Sequence, residues 1–90
     1  MKLALNGKAK TDLKIWYGTG RRSREKIEHL LKEIMEHPRW GTGKPERLKH
    51  FDGETWSRRI DRKNRIIYEI DEEKSTVFIL SLTGHYEKEC

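Results

Sequence analysis

Three strand-like runs in the C-terminal half, joined by two short polar loops, constrain this 90-residue chain more than any other feature. The runs are Thr55 to Ile60, Arg65 to Ile70 and Thr76 to Leu82, all rich in β-branched or aromatic residues. "DRKN" and "DEEK" separate them. Loops this short allow only hairpins, so the runs predict an antiparallel three-strand meander. Such a sheet must bury at least one face. Strict alternation puts Ile66, Tyr68 and Ile70 on one side of the second run, and Arg65, Ile67 and Glu69 on the other. In the third run it groups Phe78, Leu80 and Leu82. The Ile66 and Phe78 faces are expected to meet whatever covers the sheet.

The cover comes from the N-terminal half. Met1 to Leu5 reads as a short strand, and Asn6 suits the cap of a first helix. Ala9, Leu13, Trp16 and Tyr17 then recur at helical spacing. "GTG" at Gly18 to Gly20 ends that helix, with Thr19 expected to cap the next. Ile27, Leu30, Leu31, Ile34 and Met35 form the apolar stripe of a second helix, which stops near His37-Pro38. "RWGTGKPE" reads as a loop. The expected fold is therefore α+β: a short N-terminal strand, two helices, then the meander, in a single domain spanning 1–90.

Only 33% of the residues are hydrophobic and 39% are charged, so the core is small and much of the surface is wet. The distribution of charge is uneven. Nine of the 20 Lys and Arg, but four of the 15 Asp and Glu, lie between Arg39 and Arg65, so that stretch holds the whole net charge of +5. A patch of this kind suits a polyanion, and the interleaved Trp40, Phe51 and Trp56 favour nucleic acid. The four histidines and Cys90 lack paired-ligand spacing, so neither a metal nor another cofactor is expected. "GTGKPE" lacks the spacing of a phosphate-binding loop. A single cysteine, no apolar run of about 20 residues and a quickly polar N-terminus predict a cytoplasmic protein with no membrane partner.

Glu46, Lys49, Arg58, Arg59, Arg65 and His85 remain as chemistry-bearing residues. Metal-free RNA cleavage needs a base for the ribose 2′-OH, an acid for the departing 5′-oxygen and cations for the phosphate. These residue types supply that set. They equally allow Glu46 to pair with a neighbouring arginine and His85 to be a surface histidine at a strand end.

"GTGKPERLKH", "WSRRI", "NRIIYEI" and a final "HY", in this order and spacing, resemble the YoeB branch of the RelE toxin superfamily. The resemblance implies a microbial-RNase-like α+β fold and a ribosome-dependent endoribonuclease that cuts mRNA in the ribosomal A site. It implies a cognate YefM/Phd-type antitoxin, and it is compatible with a homodimer. By the same likeness Glu46 is the general base, Arg65 stabilises the phosphate and His85 is the general acid. Lys49 and Arg59 match basic site residues, Tyr86 matches a tyrosine that contacts the substrate base, and Lys44 and Arg58 are the remaining substrate-binding candidates. Two other readings are a non-catalytic RNA- or ribosome-binding module and a ParE-type toxin directed at gyrase. The combination of Glu46, Arg65 and His85 argues against both.

Overall fold

A computed structural model describes residues 1–49 and 51–84. The order of elements is β1 (Lys2–Leu5), α1 (Gly7–Gly18), α2 (Arg21–Glu36), β2 (Glu46–Leu48), β3 (Glu54–Arg59), β4 (Arg65–Asp71) and β5 (Thr76–Ser81). The strands form one sheet in the order β1-β5-β4-β3-β2. The predicted meander is present as β3, β4 and β5, all antiparallel. Two edge strands extend it. β1 runs parallel to β5, and β2 runs antiparallel to β3, which makes the sheet mixed. The end of the stretch read as a loop is therefore strand, because Glu46 to Leu48 finds a partner edge on β3. Only three residues pair, too few for any periodicity to show in the sequence.

Both helices cover one face of the sheet. Ile27, Leu30, Leu31 and Ile34 of α2 are buried with Ala9 of α1 against Ile66, Tyr68, Ile70, Val77, Ile79 and Leu82. Asn6 caps α1 as expected, its side chain accepting the Ala9 N–H at 2.8 Å. Thr19 does not cap α2. Its hydroxyl donates back to the Trp16 carbonyl at 2.7 Å, so it closes α1, and Gly20 stands at the N-cap of α2.

The face assignment holds for β4 and fails for β5. Val77 and Ile79 point into the core, whereas Phe78 and Leu80 are half-buried on the far side. There they line an open cleft of about 550 Å³ with Leu5 and Glu69. Leu82 nevertheless reaches the core. Tyr68 aligns with Ile79 but Ile67 aligns with Ser81, so β5 carries one extra residue. That bulge flips the alternation, which is why Phe78 and Leu82 lie on opposite sides despite their even spacing.

Trp56 also differs from its expected role. It aligns with Tyr68 on the helix side, packs against the core and donates its indole N–H to Glu54 at 3.0 Å. Trp40 remains exposed (62%) and is stacked on His37.

Candidate active site

Three of the candidate residues, Glu46, Arg59 and Arg65, share the sheet face turned away from the helices. Strand pairing fixes this arrangement, because residues directly opposite each other project to the same side. Glu46 on β2 aligns with Ser57 on β3, and Ser57 aligns with Ile67 on β4. One pair further along, Arg59 aligns with Arg65. Neither Ile67 nor its row belongs to the helix-packed core. Glu46, Ser57, Arg59 and Arg65 therefore share the open face. β2 and β4 flank β3, so their backbones stand about 10 Å apart, with room for a ribose-phosphate unit between Glu46 and Arg65.

Ser57 was missed in the sequence. It is almost wholly buried, and its hydroxyl accepts a hydrogen bond from Arg65 Nη1 at 3.4 Å. Its position between the carboxylate strand and the arginine strand makes it the natural brace for the Arg65 guanidinium. The available signal was its two-residue spacing from Arg59 within "WSRRI".

Lys44 and Lys49 flank β2 and are both exposed. Lys44 takes a left-handed backbone conformation with φ of 52°. That conformation costs a residue with a Cβ about 1–2 kcal/mol. The preceding Gly43 passes so close to β3 that a Cβ would lie 2.9 Å from the Arg59 carbonyl, and its own carbonyl accepts the Arg59 N–H at 2.8 Å.

Arg58 requires a correction. It aligns with Ile66 on the helix side and is 0% exposed, so it presents nothing to a substrate. Its guanidinium is held by the Glu33 carboxylate (2.6 Å), the Tyr68 hydroxyl (3.1 Å) and the carbonyls of His37, Trp40 and Thr42. Burial opposes ionisation of Glu33. The Thr42 N–H and hydroxyl together with Arg58 outweigh it and hold the carboxyl below its ordinary range. Arg39 is likewise engaged, by Glu54 and Glu72, each at 2.6 Å.

At the other end of the site, α1 braces the chain leaving β5. Asp12, buried on that helix, accepts the Leu82 N–H at 2.9 Å, and the Trp16 indole donates to the Leu82 carbonyl at 2.7 Å. Burial again opposes the Asp12 charge, but the Leu82 N–H and Lys8 lower its pKa. Gly84 donates to Asn64 and accepts from the Arg65 N–H, so the described chain ends beside Arg65. Its φ of +79° favours glycine at this bend. His85 and Tyr86 lie outside the described residues. Among the described residues no group of three or more His, Cys, Asp or Glu is placed to hold a metal, and no helix is long and apolar enough to cross a membrane.

The chain matches the family described as YoeB-like toxin of bacterial type II toxin-antitoxin system over residues 6–86. Toxin YoeB of Escherichia coli K12 is 35% identical over 86 residues, which covers 96% of this chain and all of that protein. Toxin RelK of Mycobacterium tuberculosis is 35% identical over 75 residues, 83% of this chain and 86% of that one. The solved YoeB/ParE toxin from Agrobacterium tumefaciens superposes with a TM-score of 0.87 at 33% identity, covering 96% of this chain and all of that one. A YoeB dimer from Staphylococcus aureus gives a TM-score of 0.82 at 31% identity, covering 96% and 98%. The chain belongs to the YoeB-like toxins of bacterial type II toxin–antitoxin systems.

Proposed function

We propose that this chain is a ribosome-dependent endoribonuclease that cuts mRNA in the ribosomal A site, with the substrate's own 2′-OH as nucleophile. One observation carries the reading. Arg59 and Arg65 stand directly opposite each other on the open face, one and two strands over from Glu46 respectively. Like charges in directly opposed positions repel, and neither arginine has an ion-pair partner among the described residues. A phosphate between them turns that repulsion into attraction, and it leaves the adjacent ribose facing the carboxylate.

In this scheme Glu46 takes the 2′-OH proton as the oxygen attacks the neighbouring phosphorus. Arg65, braced by Ser57, neutralises the charge that accumulates on the phosphoryl oxygens. Arg59, Lys49 and Lys44 hold the backbone on either side. His85 gives a proton to the 5′-oxygen as its bond to phosphorus breaks, and Tyr86 contacts the base. Both of those roles rest on family likeness alone. The products are a 2′,3′-cyclic phosphate and a 5′-hydroxyl, with every proton accounted for and no metal required by the scheme.

The same cationic face suits an acidic segment of a protein partner. The Staphylococcus aureus YoeB relative has been solved as a heterotetrameric complex with YefM. We infer a cognate YefM/Phd-type antitoxin here, blocking the Glu46–Arg65 groove in competition with RNA. A homodimer is inferred from the Staphylococcus aureus YoeB dimer. A cytoplasmic location follows from a ribosomal substrate.

Ribosomes programmed with a defined mRNA test the reading. Wild type is expected to cut, and Glu46→Gln to lower the rate about 10²–10⁴-fold while remaining folded. A 2′-deoxy residue at the scissile position should abolish the cut. Cleavage of that strand would mean attack by water. Ribosome and RNA binding without any cleavage would leave a non-catalytic module.

A further inference from the structure

Glu46 needs a fixed position, yet β2 is a three-residue edge strand that, among the described residues, pairs with β3 alone. The segment before it, residues 37–45, contains no helix or strand. Something else must define where that segment runs. A guanidinium has five N–H donors, and Arg58 uses all of them. Nε donates to the Tyr68 hydroxyl, Nη1 to Glu33 and the Thr42 carbonyl, and Nη2 to the carbonyls of His37 and Trp40. The Tyr68 hydroxyl in turn donates to the Pro38 carbonyl at 2.7 Å. Glu33 Oε1 accepts the Thr42 N–H at 2.6 Å, and Oε2 accepts the Thr42 hydroxyl at 3.1 Å. Four carbonyls and one amide of a single irregular segment thus converge on one ion pair, its arginine buried and its carboxylate half-buried, and on one tyrosine. Gly41 passes so close that a Cβ there would lie 2.6 Å from Glu33 Oε1, and its φ is +130°. The segment is moulded onto the pair.

The geometry points to Glu33 and Arg58 as a positioning pair for Glu46, acting from the helix side of the sheet on a base that lies on the open side. The inference rests on the reading of Glu46 as the general base. Transmission is short. Thr42, held by Glu33, is followed by Gly43, whose carbonyl is tied to the Arg59 N–H, and then by Lys44 in its left-handed turn and Pro45. Arg58 is also the chain neighbour of Ser57 and Arg59, the residues that align with Glu46 and Arg65. One residue therefore fixes the approach to β2 and anchors the strand between base and phosphate site. Misplacement of a reacting group by about 1 Å costs on the order of 10²-fold in rate.

Glu33→Gln tests this with little change of shape, and Arg58→Lys tests the planar fork. Two readouts are needed, both well below the melting temperature. The first is amide hydrogen exchange of the isolated toxin. Thr42 and the β2 amides should exchange at least about tenfold faster in Glu33→Gln, with the β4 and β5 core amides unchanged. The second is single-turnover cleavage on ribosomes. The rate constant should fall about 10- to 100-fold while the half-saturating toxin concentration stays within about threefold. Arg58→Lys should not rescue, since an ammonium cannot serve the same fork. The exchange readout does not depend on cleavage, so a wild type that fails to cut RNA would sink the endoribonuclease reading and leave the moulded segment standing. Exchange that rises uniformly across the sheet, or a localised rise with wild-type cleavage, would overturn the positioning role.

Discussion

Arg58 and Arg59 are adjacent in sequence and opposite in circumstance. Arg58 projects to the helix side, has no exposed surface and has every donor engaged. Arg59 projects to the open side, is exposed and stands opposite a second arginine. Composition counts them as two equal members of one basic patch. The two faces of β3 separate them into a cation that organises the chain and a cation that awaits an anion. Arg39 is also spoken for, by two carboxylates. The cationic surface left for the proposed RNA substrate is thus narrower than the sequence suggests, since Arg58 and Arg39 are already engaged within the chain.

The largest expected effect comes from breaking this contrast at its buried member. Arg58→Ala leaves Glu33 beside an emptied site and strands three carbonyls; loss of one partner of a fully buried ion pair costs about 3–5 kcal/mol, an upper bound here because the Glu33 carboxylate keeps some contact with water. Arg59→Ala should leave stability within about 0.5 kcal/mol, yet lower cleavage about 10²–10³-fold if Arg59 steadies the phosphate. Urea melts beside ribosome cleavage assays measure both. Comparable destabilisation by the two variants would erase the distinction between the faces.

Asp12 extends the comparison to α1. It is the anionic counterpart of Arg58, a buried charge that holds backbone near the site. Asp12→Ala removes the carboxylate that accepts the Leu82 N–H and should cost about 1–3 kcal/mol. Faster exchange should be confined to the end of β5, leaving the segment before β2 unaffected.

Much of this was legible in the sequence, and the gaps have identifiable causes. The stripe from Ile27 to Ile34, the Asn6 cap and the three long strands follow from periodicity and turn chemistry, which are local. The open-face placement of Arg65 followed from alternation along β4. β2 was not legible, since three residues become a strand only when β3 offers an edge. The face of Phe78 was misread because a bulge near Leu80 interrupts a pattern that the residues themselves continue. Arg58 was open to misreading because nothing in "WSRRI" reveals that Glu33, 25 residues earlier in the chain, supplies its partner.

Acid should weaken both clamps by a smaller amount. The carboxyls of Glu33 and Asp12 lie below their ordinary values in the folded chain, where burial is outweighed by donated hydrogen bonds. The unfolded chain then binds protons more readily, so the stabilisation is complete above the unfolded pKa of about 4. It is lost as pH falls through the lower folded values. Melts from pH 7 to pH 2 should show stability falling only below about pH 4, with a shallower fall in Glu33→Gln. An unaltered slope in that variant would mean that Glu33 is not a contributor.

The smallest effect is expected at Arg39, which belongs to neither face. It bridges Glu54 and Glu72 with hydrogen bonds of 2.6 to 2.9 Å and remains partly exposed. Those bonds, first to Glu54 and then to Glu72, raise its pKa further and lower that of Glu54, but water and salt screen pairs of this kind. Arg39→Ala should therefore change stability by less than about 1 kcal/mol, and less again at high salt. Its effect on RNA is the sharper test. Each phosphate contact on a single strand contributes about 0.7 to the slope of log K against log salt. Arg59→Ala should reduce that slope by about one contact, whereas Arg39→Ala should leave it unchanged, because its charge is already neutralised by two carboxylates. An equal loss of slope in both variants would mean that Arg39 leaves Glu54 and Glu72 to meet RNA, and that the basic patch extends to the loop before β2.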